Sequence, residues 1–120
     1  MASSERRGNT RANISLPIKY RFVNQLALTW YPATLVNISA GGIRFQSEQP
    51  LDPGTRLECE ITLPVRPEPY LLTGEVVWNK TFSLSQSESG LAFVDVTPER
   101  QFDIDELVQF LLKPPGKDQG

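Results

Sequence analysis

The chain of 120 residues contains no histidine, one cysteine and one methionine. Without histidine it lacks the commonest general base and the commonest metal ligand together. Cys59 has no second cysteine with which to close an internal disulfide, which fits a reducing compartment. No apolar run approaches the roughly 20 residues of a spanning helix, and the segment from Met1 to Arg7 lacks the apolar stretch of a secretory signal. The expected location is therefore the cytoplasm, without membrane insertion. The three Asn-x-Ser/Thr tripeptides, at Asn13, Asn37 and Asn79, then call for structural explanations rather than glycans. With no P-loop and no cluster of metal-ligand spacing, the absences point away from an enzyme.

What is present has the composition of one ordinary globular domain, 39% hydrophobic and 22% charged. Net charge is −2, but unevenly placed: the first eleven residues carry +2 through Arg6, Arg7 and Arg11 against Glu5, and the rest carries −4. That balance counts against a polyanion gripped along a whole face, and neither DNA nor RNA is an expected partner. A small anion held at one basic end is compatible with it.

The patterning reads as strands followed by one helix. Ile14, Leu16, Ile18, Tyr20 and Phe22 alternate with polar residues, the period of a half-buried strand, and Pro17 on the polar side suggests an edge or a bulge. Ala33 to Ile38 and Ile43 to Phe45 flank a Ser-Ala-Gly-Gly turn, as in a hairpin. Pro50, Asp52, Pro53 and Gly54 precede a third alternating run, Leu57, Cys59, Ile61 and Leu63, which puts Cys59 in the core. Tyr70 to Asn79 and Leu91 to Val96 complete six strands, with Phe82 to Ser89 reading as a loop by its serines. Six short strands at this spacing predict a small antiparallel barrel. Thr97 and Pro98 then open a helix whose apolar residues Ile104, Leu107, Val108 and Leu111 cover one barrel end. Asp103, Asp105 and Glu106 read as its acidic N-terminal part, and Pro114-Pro115 as its stop. The expected division is an arginine arm over 1–12, flexible until it meets a ligand, the barrel over 13–96, the helix over 97–113 and a disordered tail over 114–120.

Two short segments carry chemistry. Arginine offers a planar fork of donors that matches phosphate and the O6/N7 edge of guanine, and its flat face stacks on bases. Arg7 and Arg11, four apart on the arm, are suited to wrap such a ligand, although a solvated basic tail would look the same. In Asn37-Ile38-Ser39-Ala40-Gly41-Gly42 the side chains of Asn37 and Ser39 share one face of a strand end and can bond one ligand together. Gly41 and Gly42 permit positive φ and a close approach to the backbone, by a ligand or by nothing more than a tight hairpin.

In combination, Arg7, Arg11, Asn37, Ser39 and Gly42 resemble the PilZ domain family, whose pattern is RxxxR in an N-terminal arm followed by (D/N)xSxxG in the barrel. The resemblance extends over LVNISAGGIRF, GEVVWNK, GLAFVDVTPE and the closing helix. It implies a six-stranded antiparallel PilZ-type β-barrel with a C-terminal α-helix, and a receptor for bacterial cyclic di-GMP. Arg7 and Arg11 would then hold guanine and phosphate, while Asn37, Ser39 and Gly42, with Gly41 beside them, meet the other guanine. Trp78 falls where many members carry a residue beside the ligand, or is a barrel-wall aromatic. Arg6, just before RxxxR, implies an intercalated pair of cyclic di-GMP molecules. Asn37 stands where Asp is common and exchanges an anionic acceptor for a neutral amide.

No cofactor is implied. The expected function is an adaptor that orders its arm on the ligand and signals to an effector protein in motility, exopolysaccharide or pilus control. Two rivals remain at this point: a PilZ-like module working by protein contact alone, and a small-barrel single-stranded nucleic-acid binder, against which the acidic body counts.

Overall fold

The computed structural model describes residues 11–24, 29–64 and 66–112, residues 11–14 by their backbone alone. Residues 1–10 with Arg6 and Arg7, and the tail from residue 113 with Pro114-Pro115, lie outside the described residues. Six strands are present: β1 (Arg11–Phe22), β2 (Tyr31–Ser39), β3 (Gly42–Ser47), β4 (Arg56–Ile61), β5 (Tyr70–Ser83) and β6 (Gln86–Phe93), followed by helix α1 (Pro98–Leu112). All pairings are antiparallel, and the strands close a barrel in the order β1-β2-β3-β6-β5-β4.

Period-two alternation builds the inside. Ile18 and Tyr20 of β1, Leu35 and Ile38 of β2, Ile43 and Phe45 of β3, Leu57, Cys59 and Ile61 of β4, and Tyr70, Leu72 and Val76 of β5 are all buried. Each such aliphatic side chain contributes about 1.5–3 kcal/mol. Cys59 sits among them, and burial, followed by the charge of Glu58, pushes its thiol up to about 12. A thiol so protonated is packing, not a nucleophile.

Pro17 satisfies both readings of its position. A register shift lies between Asn13 and Leu16, and β4 joins β1 only from Lys19 onward, so Pro17 pairs with β2 alone. Its missing N–H therefore costs no bond on the β4 side. In the β4 approach Gly54 adopts φ 95°, a left-handed conformation that glycine accepts without a Cβ clash, and its N–H bonds Val76 O at 2.7 Å.

Three expectations are corrected. Phe82 to Ser89 is no loop: β5 and β6 run on to a two-residue turn at Leu84-Ser85. The serines themselves are the reason, because Ser87 and Ser89 face inward and are bonded there. Asn79 Nδ2 donates to Ser89 Oγ at 2.8 Å, and the Ser87 hydroxyl donates to Gln49 O at 2.9 Å. The last strand ends at Phe93 and not at Val96, since Asp95 takes φ 56° and breaks the extended run. Asp103, Asp105 and Glu106 do not complement the N-terminus of α1, whose first turn carries Glu99 instead. Pro98 is the first helical residue and Thr97 Oγ1 caps the Arg100 N–H at 3.1 Å, which leaves Asp103, Asp105 and Glu106 in the middle.

There two of the three clamp the helix to the barrel. Arg66 lies over the Tyr70 ring at 3.7 Å and reaches Asp103 Oδ1 at 3.4 Å, while Tyr70 donates to Glu106 Oε1 at 2.9 Å. Beneath them Ile104, Leu107, Val108 and Leu111 are buried, and α1 packs against β1 and β2. One end of the barrel is thereby covered, and the outer face away from α1 is left free to carry a site.

Candidate ligand site

Among the described residues, Asn37, Ser39, Gly41, Gly42 and Trp78 line one depression of about 300 Å³ on the outer face of β2, β3, β6 and β5. Gly90 and Ala92 of β6 give it a floor with almost no side chains, and Arg44 of β3 stands at its edge. The backbone brings the arm to the same place, since Arg11 opens β1 directly opposite Ser39. Arg6 and Arg7 fall outside the described residues.

Two bulges aim the walls. A register shift between Leu35 and Asn37 precedes Asn37, and another between Val76 and Trp78 precedes Trp78. A bulge adds a residue to one strand and turns the next side chain relative to the pleat. In this way Ile38 keeps to the core while Asn37 and Ser39 lie on the outer side, as their two-residue spacing anticipated. Asn37 is 8% exposed, so its amide is held in the wall. The Ser39 hydroxyl accepts the Gly41 N–H at 3.4 Å, which braces the Ala40-Gly41 turn.

The glycines work differently from expectation. Neither Gly41 nor Gly42 adopts positive φ; Gly54 alone among the described glycines does. Gly42 is needed for contact, because a Cβ there would collide with the carbonyl oxygen of Leu91 on the paired strand β6. What approaches the backbone closely is β6. Nothing lies near a Cβ placed on Gly41.

Sequence reasoning missed two contributors. Gly90 lies beneath the Trp78 indole, and a Cβ on it would come within 2.6 Å of Trp78 Cε2. Trp78 is therefore laid flat on β6, half exposed at 39%, presenting a ring face to anything planar. Arg44 faces Asn37 across the β2–β3 pair and forms an ion pair with Glu88, Nε to Oε2 at 2.8 Å. Its signal was available in GGIRF, where Arg44 alternates with buried Ile43 and Phe45. The signal for Gly90 exists only once β5 and β6 are known to pair.

Polar walls, a backbone floor and one flat aromatic suit a small planar ligand with hydrogen-bonding edges. No group of His, Cys, Asp or Glu that could hold a metal occurs among the described residues.

The model of the PilZ domain matches residues 5–118, nearly the whole chain. The chain belongs to the PilZ domain family. Solved PilZ structures share its fold at low identity. The PilZ domain with c-di-GMP of YcgR from Escherichia coli gives a TM-score of 0.69 at 14% identity, covering 89% of this chain and 92% of that one. The PilZ domain of CeSA from a cellulose-synthesizing bacterium gives 0.65 at 13% identity, covering 86% and 98%. The inhibitor of motility MotI/DgrA of Bacillus subtilis gives 0.63 at 16% identity, covering 87% of this chain and 49% of its own length. Comparison with curated proteins finds no match. The six-stranded barrel with its closing helix is thus the family fold. No helix among the described residues is long and apolar enough to cross a membrane.

Proposed function

We propose that this PilZ domain is a cytoplasmic receptor for cyclic di-GMP that acts by binding and not by catalysis. The observation that carries the reading is convergence: five residues chosen from one sequence motif and one strand position line a single depression, with Arg11 of the other motif opening the strand beside it. In this reading Arg7 and Arg11 grip guanine and phosphate, Asn37 and Ser39 bond the second guanine edge, and Trp78 offers its ring as a platform. The floor at Gly90 and Ala92 lets the ligand lie against β6. Arg6 recruits a second, intercalated copy.

The mechanism is ligand-driven ordering of the arm onto the depression, over residues 1–10 because Arg11 and Ala12 already belong to β1, which creates a surface read by an effector protein. A micromolar complex needs a net of about −8 kcal/mol. Ordering five arm residues costs about 1–2 kcal/mol each, which the contacts must first offset. A charge-assisted hydrogen bond contributes about 1.5–3 kcal/mol, so Arg7→Ala or Arg11→Ala weakens binding at least about tenfold and the double variant abolishes it.

Calorimetric titration with cyclic di-GMP, with GTP and cyclic di-AMP as controls, tests the reading. Expected are heat for cyclic di-GMP alone, a stoichiometry near two and its loss in Arg7→Ala. A stoichiometry near one removes the role given to Arg6. Absence of heat at high ligand concentration removes the receptor reading altogether.

A further inference from the structure

Past Val76, β5 keeps a neighbour on one side only. Pairing with β4 reaches no further than Arg56 against Glu75, and the last backbone bonds on that side link Val76 to Gly54 and Thr55. From there to Ser83 the strand is paired with β6 alone among the described residues. An open edge presents unpaired N–H and C=O groups, a ready template for another strand, and proteins normally blunt it. Lys80 and the register shifts between Val76 and Trp78 and between Thr81 and Ser83 blunt this edge only in part. Trp78, Lys80 and Phe82 alternate along it, Phe82 is 54% exposed, and Leu84 at the tip is fully so. Trp78, Lys80 and Phe82 line a second depression of about 490 Å³, which adjoins the first through Trp78 and Arg44.

Lys80 selects the occupant. Its cross-strand partner is Glu88, but that carboxylate is engaged by Arg44 at 2.8 Å, and Lys80 forms no ion pair among the described residues. A second copy docked about a two-fold axis through Lys80 would set two lysines opposite each other, and like charges directly opposite destabilise a pair. A strand bearing a carboxylate at that point supplies the missing counter-charge. Apolar side chains two residues to either side would lie beside Trp78 and Phe82.

We propose that the open edge of β5, residues 78–83, is a docking site for an extended acidic segment of a partner protein, added as an antiparallel strand. Main-chain bonds supply affinity and the Trp78-Lys80-Phe82 row supplies selectivity. The proposal deepens the effector clause of the receptor reading and rests on that reading only for coupling, since Trp78 belongs to both depressions.

The test uses the full chain without nucleotide. A labelled nine-residue peptide of threonine with a central glutamate and a valine two residues to either side of it is titrated by fluorescence anisotropy, against a control with lysine for the glutamate, and amide exchange is followed by NMR. Expected are saturable binding of the glutamate peptide, at least about tenfold tighter than the control, with slowed exchange within residues 77–83. Lys80→Glu should reverse the preference. Equal binding of both peptides, or protection elsewhere, overturns the proposal. A concentration-dependent dimer with the same amides protected overturns it in favour of a second copy. Cyclic di-GMP calorimetry on the same sample is read separately: no heat with intact peptide binding refutes the receptor reading alone, and the converse refutes the docking edge alone.

Discussion

The two halves of β5 are one continuous strand in opposite surroundings. From Tyr70 to Val76 it is wedged between β4 and the rest of the barrel, with every second residue buried; from Val77 onward it projects, backed by β6 alone. The first half stabilises the domain, and the second exposes an indole and a phenyl ring that the first half would have covered. A domain of marginal stability tolerates such an exposed rim because the buried half, the opposite strands and α1 supply the cohesion. Stability and recognition should therefore be separable along a single strand.

The most severe challenge to that separation is Leu72→Ala, in the buried half. Leu72 is 2% exposed within the core, and truncating such a leucine costs about 2–5 kcal/mol in transfer and cavity terms. Urea denaturation should show the loss, while the nucleotide affinity of the folded fraction stays as in the parent. A parallel drop in affinity would mean that the halves are coupled.

Gly90→Ala probes the other half with a smaller effect of opposite kind. The three atoms nearest the added methyl all belong to the Trp78 ring, so the indole must swing off β6 while the pairing persists. Stability should change by no more than about 1 kcal/mol, and cyclic di-GMP affinity should fall about tenfold, or about 1.4 kcal/mol. The indole emission of Trp78, read in a Trp30→Phe background, should shift even without ligand. Unchanged emission would show that the ring does not rest on Gly90.

These contrasts explain what could be read from the sequence. The flanking strands were legible because Ile18 and Tyr20 of β1 and Leu57, Cys59 and Ile61 of β4 alternate with polar residues, and alternation is a local signal. The rim was not, because Ser87 and Ser89 disguise strand as loop: they are inward-facing positions satisfied by Asn79 and Gln49 instead of by apolar contact. Asn37, Ser39, Gly41, Gly42 and Trp78 were found by motif, and their convergence depends on pairings at long range. The purpose of Gly42 was misread because its constraint is a neighbour's carbonyl, a fact of β6 and not of the turn. The helix carboxylates were misplaced for a similar reason, since Arg66 and Tyr70 lie over thirty residues away from Asp103 and Glu106.

Tyr70→Phe, the mildest substitution, sharpens the buried side of the comparison through pH. Burial first, then the bond and charge of Glu106, raise the Tyr70 phenol from its ordinary value near 10 to about 12. Below pH 10 the phenol is neutral whether the chain is folded or unfolded, and its contribution is complete. Between about 10 and 12 the unfolded chain releases the proton while the folded one keeps it, so stability is lost as pH rises through that window. Cys59, raised from near 9 to about 12, acts in the same direction from a lower starting pH, and Tyr20 is also raised by burial. At neutral pH the variant should lose about 1 kcal/mol with the bond to Glu106. In urea midpoints taken from pH 8 to 11.5 its alkaline decline should be shallower than the parent's, though not flat, because Cys59 and Tyr20 remain. A decline identical to the parent's would mean that Tyr70 ionises as freely inside the fold as outside it, and that the clamp on α1 is held by Arg66 and its carboxylates without the phenol.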